Sequence, residues 1–339
     1  MTSTVFPRRQ VLRFVAALGL GLLAGCRRQT RAELVAHRGD LPKAWVAQLP
    51  APWQPRWLED PAAVVASASQ SPSPGLLQCL DGWATTVPAN RLQPFGGAAL
   101  LARLEAVAQP VSRLFGPEGS AAVAFPWACS PWVLLLRRRD DLVPQASEDW
   151  DVLLDPSLKG GVVLPSSPRV VIDLVQGDPA KLRRLRAQAL AYDDRDGLNL
   201  LLTGVAAAAV VPRHRVVPLL RRDPRLRALL PATGAPLSWN LLLRPVSEQP
   251  APPLDWLGAI FEPPLLSQLL AAGWVPPLPR GLLEARLQTF PASMAHLLLP
   301  PPAVWQRCRS LPPLTAQQQE SLQDLWWQTT PDPAPGKAS

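Results

Sequence analysis

One tyrosine, three histidines and four cysteines in 339 residues leave little for most kinds of chemistry. After Cys26 only Cys79, Cys129 and Cys308 remain, with no C-x-x-C and no histidine at ligand spacing, so no metal site is expected. Three thiols cannot all pair, and buried free thiols are the preferred reading over a Cys79–Cys129 bridge. His37, His214 and His296 lie far apart, and only His37, after the first predicted strand, stands where a cleft could be. No G-x-S-x-G, P-loop, G-x-G-x-x-G or H-E-x-x-H occurs. Asp140-Asp141 and Asp193-Asp194 read as loop acids rather than a catalytic pair. Neither an enzyme nor a cofactor is therefore expected. Beyond the N-terminus, charges, Pro or Gly interrupt every apolar run before it reaches transmembrane length, and no repeat of 20–50 residues recurs.

What is present begins at the N-terminus. "PRRQVLRFVAALGLGLLAGC" (7–26) joins Arg8 and Arg9 to a short apolar run from Phe14 to Leu23, too short to span ~30 Å of hydrocarbon. The paired arginines resemble a twin-arginine export signal, and "LAGC" resembles a bacterial lipobox in which Cys26 is lipidated. Residues 1–26 thus read as a signal, and the mature chain as a periplasmic or extracytoplasmic lipoprotein anchored to the membrane. The formal charge of +8 becomes +5 without Arg8, Arg9 and Arg13, and the remaining basic residues are interspersed with acids on predicted helix faces. That is a solvated surface, and no nucleic-acid partner is expected. The 42 prolines with 47% apolar residues indicate many short connections in a folded chain. About 310 mature residues suffice for two lobes.

Short apolar runs alternate with helical patterns. "ELVAHR", "LLQCLDGW", "GVVL", "GVAAAAVV" and "SWNLLLRP" read as strands, and 122–138 as an extended segment crossing between lobes. "LPKAWVAQL" reads as a short helix. "PAKLRRLRAQALAY" places Leu182, Leu185, Ala189 and Tyr192 on one helical face. "LDWLGAIFE" and "PPLLSQLLAAGW" read as helices, the latter stopping at Gly273. "TAQQQESLQDLWW" carries a capping box at Thr315 and Gln318, and residues 329–339 read as a frayed tail. This alternation predicts α/β layers with mostly parallel sheets.

Candidate site residues follow from that layout. Ligands of α/β proteins collect beyond the carboxyl ends of strands. Trp83, Trp127, Trp132 and Trp239 are predicted at strand ends or in loops, where an indole can stack on a ligand or sit against a cation for ~0.5–2 kcal/mol. Ser166 and Ser167 form a strand-to-helix corner, with Ser167 as N-cap and Pro168 in the first turn.

Six stretches stand in order within about 33–280: "CLDGWATTVPANRLQPF", "FPWACSPWVLLLRRRD", "DWDVLLDPSLKGGVVLPSSPR", "RDGLNLLLTGVAAAAVV", "LLPATGAPLSWNLLLRP" and "LDWLGAIFEPPLLSQLLAAGWVPPLP". Together they resemble bacterial extracellular solute-binding proteins, the type II periplasmic-binding proteins of ABC importers, and among them the spermidine/putrescine-binding group. The resemblance implies a two-lobed clamshell, with 31–135 plus 240–281 as lobe 1, 136–239 plus 282–328 as lobe 2, and a hinge near 135 and 239. It implies an ABC permease and its ATPase as partners, and a polyamine-like or other small solute as ligand. Trp83, Trp127 and Trp239 would form aromatic walls, Ser166, Ser167 and Asn240 would offer hydrogen bonds, and Asp81 would face a cation. Polyamine-binding relatives place acids after the "KG" strand. Here that corner is Ser166, Ser167, Pro168 and Arg169, with Val170 following, which suits a neutral or anionic group better than an ammonium. The alternative is a degenerate relative acting as a structural or interaction lipoprotein.

Overall fold

Apolar and β-branched runs pair into nine strands within residues 31–194 and 196–331, the part described by a computed structural model. The export signal, Cys26 and residues 332–339 of the expected tail lie outside the described residues. Strand order is β2-β1-β3-β9-β4-β7-β5-β6, with β8 paired on β4.

Strand β4, Ala124–Arg137, organises the whole. All but its last residue are buried, and its fourteen residues extend ~46 Å. From Ala124 to Pro131 it pairs antiparallel with β9, Leu237–Leu243. From Trp132 to Arg137 it pairs antiparallel with β7, Ala208–Pro212, and with β8, Leu226–Leu229. The change of partner falls at Pro131, a residue with no N–H to give a ladder. The register shift within the β9 pairing follows the other proline, Pro126. One strand thus belongs to two sheets.

The outer strands of each sheet are parallel, as the βα alternation predicts. In the first sheet β1, Ala32–His37, pairs parallel with β2, Trp53–Leu58, and with β3, Leu76–Leu80. In the second, β5, Val162–Leu164, pairs parallel with β6, Ala189–Tyr192, and with β7. Antiparallel pairing is confined to β4 and β9 and their neighbours; β4 takes part in both sheets, and β9 pairs within the first.

One helix differs from the sequence reading. The helix begun by the Asp178 cap and Pro179 ends at Gln188, and Ala189–Tyr192 is β6, paired with β5. Its apolar period continues past the boundary, but strand pairing overrides it. Gly273 does end the helix Leu265–Ala271. It sits at φ +88°, where a Cβ would lie 2.9 Å from Val217 Cβ. The capping box forms, with Thr315 Oγ1 accepting from Gln318 N at 3.2 Å and Gln318 Oε1 from Thr315 N at 3.0 Å. That helix, Ala316–Gln328, packs Leu322, Leu325 and Trp326 on the core of the second sheet, whereas Leu283, Leu287 and Met294 join a core cluster that spans both sheets, with Leu241 of β9 and Val211 of β7 in it. Among the described residues no helix is long and apolar enough to cross a membrane.

Candidate functional site between the two sheets

Loops at the carboxyl ends of the parallel strands carry the polar residues. Strand β3 runs into a helical turn, Asp81–Ala84, which puts Asp81 at the strand end. The Trp239 amide on β9 donates to Asp81 Oδ1 at 3.2 Å, tying this carboxylate to the start of the return strand. Burial pushes the Asp81 pKa up from 3.8 to about 6, against three backbone N–H groups and the Arg169 guanidinium, which hold it down. A small part of Asp81 stays accessible to solvent.

Arg169, on the other sheet, lies near enough for its charge to act on Asp81. It lies in the first turn of the helix Pro168–Leu174, whose N-cap is Ser167 as expected, though the Ser167 hydroxyl makes no cap bond. Its guanidinium donates to the Leu311 carbonyl at 3.4 Å and to the Pro312 carbonyl. Burial lowers its pKa, while Asp173 and Asp81 raise it. Beside it, Asp173 accepts two hydrogen bonds from Arg309, at 3.0 and 2.6 Å. A bidentate pair of this kind fixes geometry as well as charge. It pins the segment that carries Ser310, whose Oγ accepts from Trp239 Nε1 at 2.9 Å.

The Ser166 corner is engaged from within the second sheet. Ser166 N donates to Asp194 Oδ1 at 3.1 Å, and the Ser166 hydroxyl donates to Asp194 Oδ2. The sequence reading treats Asp193-Asp194 as loop acids, yet they follow β6 directly and so stand at a strand's carboxyl end. The unrecognised strand hid them. Arg215 lies among the charges of Asp194, Asp193, Asp40 and Asp196, and Asp40 in turn pairs with His37 at 3.1 Å.

The three tryptophans expected as cleft walls separate. Trp83 is 39% exposed in the helical turn that follows β3. Trp127 and Trp239 have no exposed surface, and this corrects their reading as walls. Trp127 sits inside an aromatic ladder, with ring centroids 5.2 Å from Trp45 and 4.9 Å from Trp274. Trp45 stacks on Trp256 at 4.3 Å, and the two indoles exchange N–H···O=C bonds of 2.9 Å. At the other end Trp274 stacks on His214 at 4.1 Å, where burial takes the imidazole down to about 3, so it is neutral. Packing claims Trp127 because β4 is buried on both faces. Asn240, also expected to meet a ligand, is buried and accepts from Gln78 Nε2 at 3.4 Å. Its Nδ2 and Gln78 Oε1 make no bond. Cys79, Cys129 and Cys308 are free thiols.

Of the expected set, the structure brings Asp81, Trp83, Ser166 and Ser167 to strand ends, with Trp239 and Asn240 beneath them on β9. Two cavities lie elsewhere. One of about 350 Å³ adjoins His296 and Pro301, and one of about 180 Å³ adjoins Cys129 and Trp305. Among the described residues no His, Cys, Asp and Glu cluster could hold a metal ion.

No family model matches the chain, and no curated protein matches it in sequence. Solved structures do match. The spermidine/putrescine ABC transporter substrate-binding protein of Streptococcus pneumoniae is 14% identical, with TM-score 0.70 over 88% of this chain and 98% of its own. A Bordetella ferric binding protein is 16% identical, with TM-score 0.56 over 88% and 98%. A periplasmic thiamin binding protein is 14% identical, with TM-score 0.61 over 91% and 98%. The chain has the two-lobed α/β fold shared by these type II periplasmic binding proteins.

Proposed function

We propose that this protein is an exported solute-binding protein of an ABC importer, tethered to the membrane through Cys26, that captures a small solute between its lobes. The observation that carries the reading is the placement of Asp81 and Arg169 at strand ends of opposite sheets, near enough for each charge to act on the other. A carboxylate fixed to the return strand and a guanidinium from the other sheet would line one cleft, at the strand ends where α/β proteins collect ligands. The lobes are the two sheets with their helices, and the hinge is where β4 changes partner and β9 begins. Closure about such a hinge completes a site that neither lobe forms alone. A permease and a cytoplasmic ATPase are the partners this role requires.

The ligand is of polyamine type by likeness of fold, and the residues temper that assignment. Asp81 would take an ammonium group, and Trp83 would lay its exposed face on the ligand. Ser166 and Ser167 would supply hydrogen bonds. Arg169 stands where a second carboxylate would serve a dication, and an ammonium buried without a partner is costly. Spermidine should therefore bind more weakly than to relatives that keep acids at this corner. The alternative, an interaction lipoprotein without transport, is favoured by one observation: Asp194 already occupies the Ser166 hydroxyl.

Calorimetry with spermidine, putrescine, amino acids and thiamin, combined with X-ray scattering, tests the reading. Binding of one of these solutes should reduce the radius of gyration. Heat without compaction, or no binding by any solute, would favour the alternative. Micromolar or tighter spermidine binding would show that further cation partners exist.

A further inference from the structure

The cavity of about 180 Å³ beside β4 shares no lining residue with the cleft. Its apolar wall includes Val275, Leu278, Leu283 and Trp305. An engineered apolar cavity of ~150 Å³ accepts benzene, so this one has room for about six carbons.

One charge is buried at this wall without an opposite charge. Arg213, the first residue of the helix Arg213–Leu220, lines the cavity and is fully buried. Its Nη2 donates to the Cys129 carbonyl at 3.0 Å, and its Nη1 to the Leu298 and Leu297 carbonyls at 2.7 and 3.3 Å. Cys129 and Leu298 are themselves lining residues. Its Nε has no partner, and among the described residues it forms no salt bridge. Burial lowers its pKa only to about 10, so the group stays cationic at neutral pH. Buried guanidinium groups normally hold a carboxylate or phosphate, because carbonyl dipoles leave the net charge uncompensated.

The other charged lining residues do not supply that compensation. Glu105 is raised by burial and lowered by Arg280, which itself bonds Glu284 at 2.6 Å. Cys129 and Cys308 also lie close to Arg213, but burial raises the Cys129 pKa to about 12, so that thiol is neutral and offers no opposite charge.

We propose that this cavity is a second ligand site, which takes a small monocarboxylic acid with an apolar body of about six carbons. Its carboxylate meets Arg213, and its chain lies against Leu278, Leu283 and Trp305. The charge-assisted hydrogen bond satisfies Nε, and the acid supplies the missing negative charge. The site adjoins the crossover strand, where Arg213 begins the helix after β7 and Cys129 belongs to the half of β4 paired with β9. An occupant therefore touches elements of both sheets. The inference is independent of what the cleft binds.

Titration calorimetry of the purified protein with hexanoate tests it, with 1-hexanol and hexylamine as controls. Hexanoate should bind saturably at one site, and the two controls should bind at least roughly tenfold more weakly. Leu283→Trp fills the cavity and should abolish hexanoate binding. Arg213→Gln should weaken it at least roughly tenfold. If circular dichroism shows that Arg213→Gln does not fold, Leu283→Trp decides alone. Absence of saturable hexanoate binding, equal binding of hexanol, or retention of binding by folded Leu283→Trp each overturns the proposal.

Discussion

The floor of the cleft and its rims are built on different principles. The floor is β4 and β9, where Trp127 and Trp239 have no exposed surface and Trp127 continues an indole ladder through the core. The rims are strand ends, where Asp81, Trp83, Ser166 and Arg169 keep some contact with water and act through charge and hydrogen bonds. Residues of one type fall on both sides of this division. A tryptophan of the floor contributes to stability, and a tryptophan of the rim is free to contribute to binding.

The sharpest way to break the comparison is at the floor. Trp127→Ala should destabilise the protein by ~3–5 kcal/mol, because it opens a cavity between Trp45 and Trp274. Trp127→Phe should cost much less, since the lost Nε1 donor has no partner to forfeit. Urea unfolding of both variants measures this. A loss below ~1 kcal/mol for the alanine variant would mean that the ladder is not a packed core.

Asp81 stands where floor meets rim, and its effect depends on pH. Its folded pKa of about 6 lies above the ordinary 3.8. Between these values the folded protein holds a proton that the unfolded chain releases, so stability falls as pH rises through the window. Asp81→Asn removes this fall. The variant should exceed the wild type by ~1–2 kcal/mol above pH 6, with a smaller gap below pH 4. Thermal unfolding from pH 3.5 to 7.5 would reveal it, and a gap independent of pH would contradict it. The same proton uptake should weaken binding of any cationic solute as pH falls through 6.

The smallest effect on stability is expected at the rim. Trp83→Ala should change stability by no more than ~0.5 kcal/mol, since surface substitutions rarely do more. If this indole packs on the captured solute, the same variant should weaken binding by ~1–3 kcal/mol. Loss of stability without loss of affinity would move Trp83 into the floor class.

The strands that were legible are those with long buried runs, such as β4, β7 and β9, where apolar residues are nearly continuous. The three that were missed lie at the margins of the sheets. Strand β2 is an edge strand that contains Pro55, a residue tolerated there because an edge leaves N–H groups unpaired. Strand β6 is the opposite edge, and its residues continue a helical period. Strand β8 has four residues and lies off the main order. Edge strands bury little, so hydrophobic patterning hardly marks them. Missing β6 concealed that Asp193 and Asp194 end a strand.

Patterning alone was enough to place β4 as a long strand crossing between lobes, Ser167 as the cap of the Pro168 helix, and Thr315–Gln318 as a capping box, because each depends on residues adjacent in the chain. Tertiary structure decided which indoles are buried, which carboxylates lie near Arg169, and that Arg213 lies buried without an opposite charge. These outcomes depend on residues tens to hundreds of positions apart, which only the folded chain brings within reach of one another.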